Sequence, residues 1–306
     1  MKTKKWIVVC LCVSLFSPFS VFGATFDNIV VFGDSLSDNG NLYALTGGTT
    51  PDPLYFWEGR YSNGRVWVEY LAGSEFFDCT LDDHAYGGAE TGAETFPPNP
   101  PGLITQVTAY TGATMQVPDN ALFVIWIGAN DMFAIADPAD APAVIAGAAA
   151  NIQTAMEDLA VFGAEDFLIL NLPNLGDTPA YNSTASAAFA TQISQAFNAA
   201  LAQVVLNFET ANPDVTVYEM NIYDLLETIV ANPSEYGFTN VTEVSPNFSV
   251  ANEWDSQGYL FWNDVHPTTE AHEAIAEKAY NLLNPDEDTG GDNSTGCFVE
   301  SIFSYQ

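Results

Sequence analysis

Ser35 follows the apolar run Ile29-Val30-Val31-Phe32 and the turn residues Gly33-Asp34. A β-branched and aromatic run of this kind reads as a buried strand. A serine at the carboxyl end of such a strand stands where open α/β sheets place their ligands. Its hydroxyl could act as a nucleophile, or it could cap a turn or helix. Acyl transfer would need a nearby imidazole to take the hydroxyl proton and donors aimed at the developing oxyanion. The chain offers three histidines, His84, His266 and His272. His266 lies in Asn263-Asp264-Val265-His266-Pro267 and is the candidate base. His272 falls within the last helical segment and reads as a surface or partly buried residue. His84 precedes Gly87-Gly88 and is not expected to take part directly. Gly88 has no side chain to keep its N–H from a ligand, and Asn130 offers an amide donor after a strand. Each residue alone has a plain structural reading. Their joint occurrence in this order points to a hydroxyl nucleophile with Ser35 N–H, Gly88 and Asn130 as an oxyanion hole.

The elements that must position these residues alternate strand and helix. Strands are expected at 28–32, 121–127, 166–172 and 215–219. Helices are expected at 66–71, 103–111, 139–162, 183–210, 222–230 and 268–283. Residues 232–263 read as a long aromatic connection with little periodicity. The alternation argues for a parallel sheet covered by helices on both faces. No repeat or composition shift divides 24–284 into two domains.

Residues 1–23 combine a basic start, an apolar run and a small-residue ending, the pattern of a secretory signal peptide. The run is short for a membrane span. Without that segment the chain keeps three Lys and Arg (Arg60, Arg65, Lys278) against 39 Asp and Glu, a formal charge of −36. Such a surface disfavours nucleic acid and anionic lipid, both of which need basic side chains. Residues 285–306 read as an acidic flexible tail. Their Asp286-Glu287-Asp288 cluster lacks the spacing of a calcium loop, so no metal or cofactor is expected. Cys79 and Cys297 could pair in an exported protein, and sequence leaves that open. Nothing in the chain indicates an oligomeric state.

Gly33-Asp34-Ser35-Leu36, Ala85-Tyr86-Gly87-Gly88-Ala89, Gly128-Ala129-Asn130-Asp131 and Asp264-Val265-His266-Pro267 resemble the successive blocks of the GDSL, or SGNH, hydrolases. Gly59 to Trp67 and Asn171 to Pro179 are similar to the branch that includes secreted phospholipases, lysophospholipases, thermolabile haemolysins and lipid acyltransferases. The resemblance spans about residues 26 to 283 and implies a flavodoxin-like three-layer α/β/α fold with a central parallel sheet. It implies Ser35 as nucleophile, His266 as base, and Ser35, Gly88 and Asn130 as oxyanion hole. It implies a secreted esterase acting on lipid esters such as lysophospholipid, phospholipid or glyceride, with transient contact to lipid surfaces. A carbohydrate O-acetylesterase and a non-catalytic binding protein on the same scaffold are the alternatives. One position departs from the family. Asn263 stands where the family usually has an aspartate, three residues before the histidine. The third member could be Asp264 through a shifted loop, Asn263 itself, or a bound anion or main-chain carbonyl; charge favours Asp264.

Overall fold

The computed structural model describes residues 25–285. The leader expected at 1–23, the tail from 286 onward and Cys297 lie outside the described residues. Five strands, β1 (Asn28–Gly33), β2 (Thr80–Asp83), β3 (Ala121–Trp126), β4 (Asp166–Leu170) and β5 (Thr216–Met220), form one sheet. All neighbours pair in parallel and the order is β2-β1-β3-β4-β5. This is the flavodoxin-like doubly wound order, whose direction reverses between β1 and β3.

Period-two alternation along β1 divides the core. Val30 and Phe32 join Phe123, Ile125, Phe167 and Ile169 on one face, under helices α3 (Leu103–Ala113), α5 (Ala141–Phe162) and α6 (Ala187–Ala211). Ile29 and Val31 join Leu122, Val124, Trp126 and Leu168 on the other. That face is covered by α2 (Trp67–Leu71), α7 (Ile222–Ala231) and α8 (Thr269–Leu283). Burial on both faces is why the central strands read as unbroken apolar runs. Two one-turn helices, α1 (Asn41–Leu45) and α4 (Ala129–Phe133), are the next elements after β1 and β3 at the carboxyl edge. Among the described residues no helix is long and apolar enough to cross a membrane.

Two features differ from the periodicity. The edge strand β2, Thr-Leu-Asp-Asp, carries two carboxylates and is half-exposed, so it has no apolar pattern. Within 232–263, β6 (Asn240–Val244) and β7 (Tyr259–Phe261) form a small parallel pair, too short to show alternation in sequence.

The end of β1 is held by a side chain. Buried Gln106 of α3 accepts the Gly33 N–H at 3.0 Å and donates to the Gly33 carbonyl at 2.9 Å and to the Pro101 carbonyl at 2.9 Å. Gln106→Leu keeps the volume but strands buried backbone groups, each worth about 1–3 kcal/mol. Thermal denaturation of Gln106→Leu should show a loss of at least about 2 kcal/mol; an unchanged midpoint would discount this clamp.

Candidate active site

β1 ends against β3 so closely that a Cβ on Gly33 would lie 2.6 Å from the Trp126 carbonyl oxygen. Glycine is what lets the chain leave the sheet here. The turn that follows is built by Asp34. Its Oδ1 accepts the Leu36 N–H at 3.0 Å and its carbonyl accepts the N–H groups of Ser37 and Asp38. Capping therefore falls to Asp34, and Ser35 does something else. Its Oγ stands 2.7 Å from Nε2 of His266, 231 residues away in sequence.

His266 arrives on the loop between β7 and α8. The loop closes on itself through the Trp262 N–H, which donates to the His266 carbonyl at 2.8 Å. Asn263 Oδ1 accepts three N–H groups: Val265 N at 3.0 Å, His266 N at 2.7 Å and the ring Nδ1 at 3.1 Å. An acceptor at Nδ1 selects the tautomer with its proton there, leaving the Nε2 lone pair for the serine hydroxyl. Charge favours Asp264 for this place in the sequence, but the structure puts the Asn263 carbonyl there. Asp264 is exposed, and its main-chain carbonyl accepts the Ala180 N–H. The reason is local geometry: the side chain three residues before His266 closes an Asx-type turn onto the ring, whereas Asp264 is exposed and lines the cavity. Burial lowers the His266 pKa from 6.5 to about 4, and no carboxylate against Nδ1 opposes it.

Gly88 and Asn130 line the same cavity as Ser35 and His266. Gly88 has φ +76°, in the left-handed region that favours glycine. Asn130 follows Gly128 at the end of β3, and its Nδ2 donates one hydrogen to the Ala89 carbonyl at 2.9 Å. The amide has a second hydrogen, and it flanks the β1/β3 reversal opposite Ser35.

Several further residues hold the site in place and carry little signal in sequence. Asp38 is fully buried; its carboxylate accepts from Gly40, Asn41 and Leu42 N–H and, at 2.7 Å, from Gly87 N–H. It thus caps α1 and ties the serine turn to the glycine turn. Asp83 accepts the N–H groups of Asn39 and Ala85. Asp131 accepts from the Thr91 N–H and hydroxyl. Burial raises the pKa of all three, and that of Asp34 to about 7. Tyr61 fills the space a Gly87 side chain would need and packs its ring 4.9 Å from that of His266. The only hint of Asp38 in sequence is an acidic residue before a short helix start. His272 is fully buried, not at the surface, because it shares the inward face of α8 with Ala276 and Ala279. His84 stacks on Phe32 at the β2 edge and pairs with Asp82 at 3.0 Å.

Serine, imidazole and two non-serine donors stand around one cavity, and these are the groups that nucleophilic attack on an ester carbonyl requires. A family model described as GDSL-like Lipase/Acylhydrolase matches residues 29–279. The chain is 29% identical to a phosphatidylcholine-sterol acyltransferase of Aeromonas hydrophila, over 92% of this chain and 97% of that protein. It is 29% identical to an acetylesterase of Thermothelomyces thermophilus, over 81% of this chain and 85% of the relative. Among solved structures, an acetylxylan esterase from Geobacillus stearothermophilus superposes with a TM-score of 0.50 at 11% identity. That superposition covers 85% of this chain and 95% of the esterase, and it shows a shared fold.

The Asn263 contact makes a signed prediction. A histidine whose folded pKa is about 4 stays a neutral base down to that pH, so the acid limb of kcat/KM should fall near pH 4 rather than 6.5. Asn263→Asp places a charge against the ring and should move that limb up by about one to three pH units. Asp264→Asn should leave it in place. A limb that follows Asp264 and ignores Asn263 would reverse the assignment.

Proposed function

The chain belongs to the GDSL-like lipase/acylhydrolase family of carboxylic ester hydrolases, and we propose that it is a secreted serine esterase that cleaves lipid esters through an acyl-enzyme. The observation that carries the mechanism is the 2.7 Å contact between Ser35 Oγ and His266 Nε2. His266 Nε2 takes the hydroxyl proton as Oγ bonds to the ester carbonyl carbon. The carbonyl oxygen, now negative, sits among the N–H groups of Ser35 and Gly88 and the Asn130 amide. The tetrahedral intermediate collapses as Nε2 returns the proton to the departing alkoxide, leaving the acyl group on Ser35. Water then attacks the acyl carbon with its proton going to Nε2, and Ser35 leaves with that proton. Asn263 holds the ring but supplies no charge to the imidazolium. The nearby oxyanion is then its main electrostatic partner, which ties proton transfer to bond formation.

The lipid reading rests on the cavity. It measures about 400 Å³, within the range of small-molecule sites. Beyond the polar cluster its walls are apolar, with Leu175, Leu225, Leu226 and Leu260 among them. An acetyl group would leave most of that space unfilled, which weighs against the O-acetylesterase alternative. The basic and apolar pattern of residues 1–23 supports export.

Nitrophenyl butyrate hydrolysis and fluorophosphonate labelling test the assignment together. Ser35→Ala should lose at least about 10³-fold in kcat and all labelling. Undiminished turnover in that variant would remove Ser35 from its role, and a wild-type protein that neither turns over the ester nor takes the label would favour a binding protein.

A further inference from the structure

The cavity that holds the serine is also lined by residues of α7 and α8. Four residues of α7 line it: Ile222, Leu225, Leu226 and Ile229. Their spacing is i, i+3, i+4, i+7, so one helix face turns a continuous apolar stripe to the cavity. Ala271 and Ile275 of α8, four residues apart, face it too. These are core positions: Ile222, Leu225, Ile229, Ala271 and Ile275 are all buried, the most accessible at 7%. Protein interiors are close-packed. Apolar space among core residues, continuous with a nucleophile, is what a hydrocarbon ligand would occupy.

The two helices also give the space a direction. α7 begins two residues after β5 ends, and α8 begins three residues after His266, so both start at the carboxyl edge where the serine sits. Ile229 lies about 10 Å along the helix from Ile222, and Ile275 about 6 Å from Ala271, at 1.5 Å rise per residue. Leu225 stands between Ile222 and Ile229.

We propose that this α7/α8 arm receives the acyl chain and that depth along α7, from Leu225 to Ile229, sets the longest acyl group accepted. The inference rests on the esterase reading above. The arm suits the acyl side because a lipid leaving group carries a polar glycerol or headgroup, whose burial among these side chains would go without hydrogen bonds. The alcohol portion therefore stays toward the open mouth. Medium-chain to long-chain acyl esters are the substrate class this assigns.

The test is a nitrophenyl ester series from acetate through butyrate, hexanoate, octanoate and laurate to palmitate. It uses the wild type, Leu225→Trp, Ile229→Trp and Ile229→Ala. In the wild type each methylene seated should raise kcat/KM by up to about fourfold until the arm is full. Ile229→Trp should keep acetate and butyrate within about threefold while the longest esters fall about tenfold or more. Leu225→Trp, one helical turn nearer the serine, should move the same cut-off to shorter esters. Ile229→Ala should move it to longer ones. Acetate turnover and fluorophosphonate labelling report that each variant is folded. Should a tryptophan variant fail both, the shift with Ile229→Ala alone decides. A second series of alkyl acetates, lengthened on the alcohol side, should not respond to these substitutions. Parallel loss across all ester lengths, an unmoved cut-off, or a response confined to the alkyl acetates would overturn the acyl-arm assignment. Those outcomes leave the esterase reading intact as long as turnover depends on Ser35. Turnover that survives Ser35→Ala would instead remove the reading beneath it.

Discussion

The structure turns on one hydrogen bond between side chains 231 residues apart, Ser35 Oγ to His266 Nε2 at 2.7 Å. Neither loop could hold its half alone. The serine turn is fixed from below by Gln106 and Asp34 and from the side by Asp38, which also grips Gly87. The histidine loop is fixed by Asn263, by the Trp262–His266 backbone contact and by the segment after Gly59. There Ser62 donates to the Pro267 carbonyl, while Asn63 donates to the Trp254 carbonyl and accepts the Thr269 N–H. Preorganisation of this kind places the reacting groups before substrate arrives, which is where such sites gain most of their rate.

That arrangement uses buried carboxylates as mortar rather than as catalysts. Asp34, Asp38, Asp83 and Asp131 each accept backbone N–H groups around the site, and burial raises the pKa of each. A carboxylate can collect several N–H donors at once, which no apolar side chain can do. The same chain puts a neutral amide where a carboxylate would be expected behind the histidine. Asn263 Oδ1 receives three N–H groups, so it controls orientation and tautomer without adding charge. The result is an imidazole whose pKa burial holds down to about 4, beside a cavity whose far walls are hydrocarbon.

The sheet order supplies the geometry for all of this. The reversal between β1 and β3 opens a crevice at the carboxyl edge, and the residues after both strands, Ser35 and Asn130, stand on its two sides. α7 and α8 then wall the apolar space that continues from the crevice. Polar chemistry sits at the strand ends and apolar packing lies beneath, so a single cavity can present both to an ester.

Sequence alone determined the elements with strong period or long apolar runs. β1, β3, β4, α5, α6 and α8 were legible because burial on one or both faces writes itself into residue type. Ser35, Gly88, Asn130 and His266 were legible as candidates because strand ends, a glycine pair and a scarce residue type mark them, and the structure brings the four to one cavity. The edge strand β2 was not, since its exposed Thr-Leu-Asp-Asp carries no apolar pattern. Nor was the choice between Asn263 and Asp264. Charge ranks them one way, but only the folded loop decides which side chain reaches Nδ1, because reach depends on backbone dihedrals that one-dimensional spacing does not carry. The buried state of His272, the clamp made by Asp38 and the lining of the cavity by α7 and α8 are likewise products of contacts between distant segments. Sequence named the candidate groups; tertiary structure alone decided that they meet, what stands behind the histidine and which apolar side chains line the space beyond the serine.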